Sequence, residues 1–230
     1  QRWRNVKGRA SRVTAPRERL MVGAVDFASR LLAPFLGTRA TPGTPIREVL
    51  VLRLDRIGDV LMSLPALHAL RQALPEARIR LAVGEWSREV AEDAPVDEVL
   101  VWNAPWAGRP DEGASTLPEI FARARALRSL PLDLAIDLQG DVRAVWLMAM
   151  TGAKRRAGYA NTGSSALLTD IVDLDEDLNF VEQNRRAIDT ALGARSPRSP
   201  FRWLSPERRR AGREALEARL VAAGRPQTQA

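Results

Sequence analysis

The sequence has 230 residues, of which 45% are apolar and 27% are charged, a composition typical of a globular protein of one or two domains. It has no cysteine and a single histidine, His68, which excludes disulfide scaffolds, thiolate metal sites, iron–sulfur clusters and cysteine catalysis. No uncharged apolar run reaches the roughly 18–20 residues that span a bilayer.

The net charge of +7 is unevenly distributed along the chain. Residues 1–47 have ten basic and two acidic side chains (+8), residues 48–194 have 16 and 23 (−7), and residues 195–230 have nine and three (+6). A nucleic-acid-binding domain would carry its basic residues on the folded body. Because this body is acidic, we expect no nucleic-acid partner.

The N-terminal segment combines a basic stretch with an amphipathic helix. Residues 1–19 lack an apolar period and are expected to be disordered. In residues 20–37 the apolar residues recur at helical spacing, and they are Met21, Val25, Ala28, Leu32 and Phe35, with Leu31 alongside. Asp26, Ser29 and Arg30 share the other side. Such a helix lies on an anionic membrane surface or packs on its own domain, and the sequence favours neither.

After a linker at residues 38–45, strands and helices alternate. Strands are predicted at 49–54, 77–83, 96–102, 132–138, 155–159 and 171–174, and helices at 60–74, 86–93, 117–130, 141–150, 179–192 and 206–223. Pro65 predicts either a kink in the second helix or a helix start near Leu64. This alternation predicts an α/β fold with a parallel, Rossmann-like sheet and flanking helices.

Ligands of such sheets bind where strands end and helices begin, which singles out residues 53–60 and 137–143. The first junction has only Gly58, so it is neither a dinucleotide fingerprint nor a P-loop. We expect a tight turn at Gly58, with Asp59 opening the next helix. Asp59 is then either a helix N-cap or a general base that takes a proton from a hydroxyl.

Three segments carry a resemblance to a known family. VLVLRLDRIGDVLMSLPALHALRQALPEARIRLAVG resembles the opening of glycosyltransferase family 9, the heptosyltransferases of lipopolysaccharide core assembly. DLAIDLQGDVRAVWLMAMTGAKRRAGY is similar to that family's D-x-x-I-D-x-Q-G segment and the strand after it, although Ala144 stands where a Ser is often found. NFVEQNRRAIDTALG resembles the helix that closes the first domain. The resemblance covers residues 46–193.

The resemblance implies the N-terminal half of a GT-B architecture, in which the first domain holds the acceptor sugar and the second holds the nucleotide-sugar donor, typically ADP-heptose. It makes Asp59 the base that deprotonates the acceptor hydroxyl in an inverting reaction without a metal. No other cofactor is implied. The pair Asp173 and Asp175, which forms an Asp-x-Asp, is interpreted as solvated turn residues.

The candidate acceptor-binding residues lie at the two junctions, and they are Arg53, Arg56, Gly58, Gln139, Gly140 and Arg143. Arginines suit the carboxylate and phosphate groups of an anionic acceptor. Arg53 has an alternative, an ion pair with Asp55 or Asp137. Trp102 and Trp106 flank a loop and are either sugar-stacking or packing residues, whereas His68 is expected at the surface.

The sequence therefore predicts three parts: residues 1–45 as basic arm, helix and linker, 46–204 as the acceptor-side domain, and 205–230 as a helix leading to a donor-binding domain. Because the His-Pro-Gly and Lys-x-Trp-Pro segments of that second domain do not appear, we expect an incomplete and inactive N-terminal fragment. The expected partners are a glycan or glycolipid acceptor and an anionic membrane surface. The expected location is cytoplasmic, at the inner face of the bacterial inner membrane.

Two other classes of function compete with this interpretation. The first is a non-catalytic membrane-binding module that uses the basic arm and its helix. The second is a receiver-like phosphoacceptor domain built on Asp55, Asp59 and Asp137, which needs a lysine close to these carboxylates. Lys154 is the only lysine in the body of the chain.

Overall fold

The computed structural model describes residues 16–36, 44–107, 113, 115–161, 163–175, 177–198 and 206–222. The chain divides into two compact units, Gln1–Ser199 and Pro200–Ala230. The predictions for residues 1–15 and for most of the linker lie outside the described residues. Within the described part of the chain, no helix is both long and apolar enough to cross a membrane.

Six parallel strands form one sheet in the first unit. The strands are β1 (Glu48–Leu52), β2 (Arg78–Val83), β3 (Glu98–Val101), β4 (Leu134–Asp137), β5 (Arg155–Tyr159) and β6 (Asp170–Val172). Their order is β3-β2-β1-β4-β5-β6, and every neighbouring pair is parallel. This is the doubly wound order of Rossmann-like folds, which confirms the predicted fold class. The order reverses between β1 and β4, where such folds bind ligands.

The helices follow the predicted pattern closely. They are α1 (Pro16–Leu36), α2 (Ile57–Ala73), α3 (Arg88–Ala91), α4 (Leu117–Ala126), α5 (Val142–Met150), α6 (Phe180–Leu192) and α7 (Pro206–Ala222), with 3-10 turns at Glu85–Ser87, Leu127–Ser129 and Ser165–Leu167. Helix α2 starts at Ile57 and contains Pro65, so the alternative of a start near Leu64 is wrong. The described side chains of α7, in the second unit, are almost all exposed.

The core lies on both faces of the sheet. The central strand β1 is buried from Val49 to Leu52, as expected for an apolar run covered on both sides. One buried cluster joins this strand to α4 and α5 and includes Trp102. Trp102 is 4% exposed, which makes it a packing residue.

Helix α1 packs within the first unit through a side that includes Asp26 and Ser29, whereas Arg30 is exposed. Ser29 is buried, Ala33 contacts the core cluster, and the Asp26 carboxylate accepts a hydrogen bond from the backbone N–H of Ser164. Of the apolar residues at helical spacing, Leu32 is 42% exposed, whereas Val25 and Ala28 are half-buried. The helix thus packs on its own domain, as one of the two alternatives expects.

Candidate functional site

The two predicted junctions meet at the carboxyl ends of β1 and β4, where they form one polar pocket with α6. The described residues that line it are Arg53, Asp55, Asp59, Leu138, Gln139, Gly140, Tyr159, Asn161, Leu174, Phe180, Gln183 and Asn184. The β1–β4 register places Leu52 opposite Asp137, so both loops leave the sheet at the same level. The site therefore lies at the switch point of the sheet.

Asp59 lies in the first turn of α2, at the mouth of the pocket. The N-cap position is occupied by Arg56, whose side chain makes no capping hydrogen bond, so the interpretation of Asp59 as an N-cap is wrong. Its side chain is 28% exposed and faces Arg53, with 3.6 Å between Arg53 Nη2 and Asp59 Oδ1. A half-exposed carboxylate at the pocket mouth is accessible to a bound hydroxyl.

Arg53 lies below Asp59 and is 3% exposed. Its Nε is 3.1 Å from Asp55 Oδ1, which confirms the alternative of a local ion pair with Asp55. The guanidinium also donates a hydrogen bond to the backbone carbonyl of Leu138. Two carboxylates therefore face the one positive charge of this arginine.

Asp55 was not predicted as an acceptor-site residue, although it follows a buried strand directly. Its side chain is 19% exposed, and burial raises its pKa to about 6 against the opposing effect of Arg53. The backbone carbonyl of Asp55 accepts a 2.7 Å hydrogen bond from Trp86 Nε1, which fixes the loop. Its position after the strand was the only feature of the sequence that pointed to a place for Asp55 in the site.

Arg56 and Gly58 are exposed at the start of α2. Gly58 belongs to the first helical turn and has no positive φ angle, so the predicted tight turn is wrong. A Cβ at this position would have no heavy atom within 4 Å. Open space thus remains at the helix start, and neither Arg56 nor Gly58 is among the residues that line the pocket.

The second junction is a tight turn held by Asp137, which is fully buried. Its two carboxylate oxygens accept hydrogen bonds from the backbone N–H groups of Gln139 and Gly140, at 2.9 and 3.0 Å. Gly140 has a φ of +78°, the left-handed conformation that favours glycine. Burial raises the pKa of Asp137 to about 7. This turn places Gln139 in the pocket.

Arg143 does not line the pocket, contrary to the sequence expectation. Its Nε donates a 2.8 Å hydrogen bond to Asp141, and its guanidinium stacks 4.6 Å from the centre of the Trp106 ring. The reason is that Asp141 is the N-cap of α5 and holds the neighbouring arginine on the helix surface. Trp106 is therefore a stacking partner of Arg143.

Polar residues of β5 and α6 complete the pocket, and the sequence interpretation assigned them no role. Gln183 and Asn184 lie on the first turns of α6, whose N-cap is Asn179. Tyr159 ends β5 and donates a 3.0 Å hydrogen bond to the carbonyl of Gln183, and burial raises its pKa to about 12. In the sequence, the only indication of such a role for Gln183 and Asn184 was their place on the polar side of a short helix that follows a strand.

The receiver-like alternative fails on the position of its lysine. Lys154 Nζ lies 2.8 Å from Asp133 Oδ1, and these two residues precede β5 and β4. The lysine is thus at the amino edge of the sheet, opposite Asp55 and Asp59. No group of three acidic or histidine side chains suited to a metal ion occurs in the described residues.

The two carboxylates of the Asp-x-Asp sequence are held by α6. Arg186 Nη1 lies 2.9 Å from Asp175, and Arg186 Nη2 lies 3.2 Å from Asp173. The Asp173 side chain is 70% exposed, in agreement with its interpretation as a solvated turn residue. His68 on α2 is only half-buried and lies outside the residues that line the pocket.

Comparison with known families confirms the resemblance. Residues 120–228 match the model of "Glycosyltransferase family 9 (heptosyltransferase)". No curated protein matches the sequence.

Solved structures support the same fold. The E. coli heptosyltransferase WaaC with ADP-2-deoxy-2-fluoro heptose is 24% identical, with a TM-score of 0.53 over 68% of this chain and 51% of its own. A family 9 glycosyl transferase from Veillonella parvula is 20% identical, with a TM-score of 0.61 over 80% of this chain and 51% of its own. E. coli ADP-heptose lps heptosyltransferase II is 20% identical, with a TM-score of 0.50 over 69% of this chain and 45% of its own. The chain thus spans about half the length of these structures.

Proposed function

We propose that this chain, which is similar to glycosyltransferase family 9 over residues 120–228 and in its fold, is the acceptor-side half of an inverting glycosyltransferase. The reaction transfers heptose or a related sugar from a nucleotide sugar, ADP-heptose by analogy with the solved relatives, to a lipopolysaccharide-core or other cell-envelope glycan. The observation that carries the proposal is the position of Asp59, an accessible carboxylate at the mouth of a polar pocket at the sheet's switch point.

In this mechanism Asp59 is the general base and Arg53 positions it. Asp59 accepts the proton of the acceptor hydroxyl, whose oxygen attacks the anomeric carbon of the donor. The bond from that carbon to the diphosphate oxygen breaks, the nucleotide diphosphate leaves with the electron pair, and the anomeric configuration inverts. Arg53 holds the Asp59 carboxylate from the buried side, at 3.6 Å, so that its outer oxygen remains available to the acceptor.

The test begins with the gene. The reading frame on both sides of the region encoding Gln1 and Ala230 is sequenced, and its whole translated product is assayed for sugar transfer from ADP-heptose. Asp59→Asn is expected to lower kcat by about 10²–10⁴-fold with an unchanged unfolding midpoint. Glu92→Gln on the surface is the matched control and should retain full activity. Near-wild-type turnover of Asp59→Asn would remove the base from this mechanism.

We further propose that the protein works at the cytoplasmic face of an anionic inner membrane, where a glycolipid acceptor is accessible. This proposal rests on the apolar residues exposed on the outer side of α1, where Phe27 is 65%, Leu31 58% and Leu32 42% exposed. The helix belongs to residues 1–47, which carry eight net positive charges. Apolar residues next to basic ones are the combination that binds anionic lipid surfaces.

Liposome flotation tests the membrane proposal. The full chain should float with vesicles that contain phosphatidylglycerol, and Leu31→Glu should weaken the flotation without changing thermal stability, since Leu31 is exposed. Ala222→Glu, at an exposed position of α7, is the control and should float like the wild type. Flotation that survives deletion of residues 1–47 would contradict the assignment to this segment.

A further inference from the structure

We propose that the pocket at the carboxyl edge of the sheet takes an uncharged, hydroxyl-rich part of the acceptor and rejects carboxylate and phosphate groups. This inference rests on the proposed glycosyltransferase function and concerns what its acceptor site selects. It reverses the sequence expectation that arginines at this edge recognise an anionic acceptor.

Three hydrogen-bond donors of the pocket are engaged by the protein itself, whereas Arg53 Nε forms an ion pair with Asp55 but no hydrogen bond. The backbone N–H groups of Gln139 and Gly140 donate to the Asp137 carboxylate. The Tyr159 hydroxyl donates to the backbone carbonyl of Gln183 at 3.0 Å. These groups would otherwise form an anion-binding turn, but their hydrogens point at protein acceptors.

The side-chain amides of α6 likewise donate hydrogen bonds to the protein itself. Gln183 Nε2 donates to the carbonyls of Asp175 and Leu178, both at 3.0 Å. Asn184 Nδ2 donates to the carbonyl of Met62 at 3.2 Å. Gln183 thus uses both amide hydrogens on backbone oxygens and Asn184 uses one of its two, and the carbonyl oxygen of each side chain can accept a hydrogen bond from a ligand.

The charges of the pocket add to this pattern. Among the described lining residues Arg53 is the one cation, and it faces both Asp55 and Asp59. Gln139 Oε1 is buried and has no hydrogen-bond partner within the described residues. The local charge is therefore negative, and Gln139 Oε1 is an open acceptor.

A sugar hydroxyl satisfies such a pocket because it donates a hydrogen bond to a carboxylate or amide oxygen. An ionised carboxylate has no proton to donate, and the negative charge of a carboxylate or a phosphate is repelled by Asp55 and Asp59. Arg143, which the sequence placed here for anions, is bound to Asp141 and stacked on Trp106 outside the pocket. Anionic groups of the acceptor thus belong elsewhere on the molecule.

The experiment titrates the isotope-labelled full chain with three probes, methyl α-D-glucopyranoside, the corresponding methyl glucopyranosiduronate, and inorganic phosphate. The readout is the NMR signals of the side-chain amides of Gln139, Gln183 and Asn184. We expect the neutral glycoside to shift these signals with a Kd at least about tenfold lower than that of the uronate or phosphate. Asp55→Asn should reduce this preference, whereas the surface control Glu92→Gln should retain it.

Three outcomes overturn the inference. In the first, the uronate or phosphate shifts the signals of the three amides at least as strongly as the neutral glycoside, and in the second the neutral glycoside shifts none of them. In the third, Asp55→Asn folds and leaves the preference for the neutral glycoside unchanged. If Asp55→Asn does not fold, the wild-type comparison of the three probes decides alone. Failure of the proposed function can be distinguished from failure of this inference. It would appear in the activity assay, as sugar transfer that Asp59→Asn leaves unchanged.

Discussion

Arg53 Nη2 lies 3.6 Å from Asp59 Oδ1, which links the last buried turn of chain after β1 to the first turn of α2. The same guanidinium contacts Asp55 and the Leu138 carbonyl, so one buried side chain joins both loops of the pocket. The candidate base is therefore positioned from within the fold, by an arginine that has almost no access to solvent.

Replacing this arginine should be costly. Arg53→Met leaves Asp55 and Asp59 without their buried counter-charge, and loss of one partner of a buried ion pair destabilises a protein by about 3–5 kcal/mol. Urea unfolding measures this change. Arg78→Met is the matched control, since Arg78, at the start of β2, forms an exposed ion pair with Glu98, and it should cost less than about 1 kcal/mol. Equal effects of the two substitutions would contradict the linking role of Arg53.

The sheet and the position of the site could be predicted from the sequence because both depend on local signals. Apolar runs such as Val49–Leu52 define the strands, and the residues that follow a strand mark the ligand edge. The roles of individual arginines could not be predicted in the same way. Arg53 and Arg143 both follow strand ends, yet their nearest carboxylates, Asp55 and Asp141, engage them in contacts that no periodicity encodes.

The raised pKa of Asp55 predicts a pH dependence of stability. Burial raises the pKa from 3.8 to about 6 in the folded protein, so the folded state binds this proton more tightly than the unfolded state. The stabilisation is complete below pH 4 and is lost as the pH rises through about 6, and it amounts to at most about 3 kcal/mol. Asp137, whose pKa burial raises to about 7, acts in the same direction.

Urea unfolding at closely spaced pH values measures this dependence. Wild-type stability should fall between pH 4 and 7, and Asp55→Asn should make the fall shallower. Asp97 serves as the contrasting control, because hydrogen bonds from Ile79 and Arg71 lower its pKa despite the opposing effect of burial. Asp97→Asn should thus leave the slope above pH 4 unchanged. A wild-type stability that rises over this range would refute the assignment.

The docking of α1 gives a second stability prediction. The Asp26 carboxylate accepts the backbone N–H of Ser164, a residue with a φ of 59° whose hydroxyl accepts a 2.9 Å hydrogen bond from Trp146 Nε1. Asp26→Ala removes the acceptor of a half-buried N–H group, and it should destabilise the first unit by about 1–3 kcal/mol. Arg30→Ala, on the exposed side of the same helix, is the control and should change stability little. Equal unfolding midpoints for wild type and Asp26→Ala would show that α1 does not depend on this contact.

Substitution of Gly58 is expected to have opposite effects on the stability of α2 and on acceptor binding. Because a Cβ there meets no heavy atom within 4 Å, Gly58→Ala should stabilise α2 by up to about 1 kcal/mol. The added methyl group nevertheless fills the open space at the start of α2, one residue before Asp59, and we expect it to raise the KM for acceptor by about tenfold or more, since small misplacements at a reacting centre are costly. Gly212→Ala in α7, where a Cβ also meets nothing, is the matched control and should leave KM unchanged. If Gly58→Ala gains stability and keeps the wild-type KM, the acceptor does not approach the sheet edge over the start of α2.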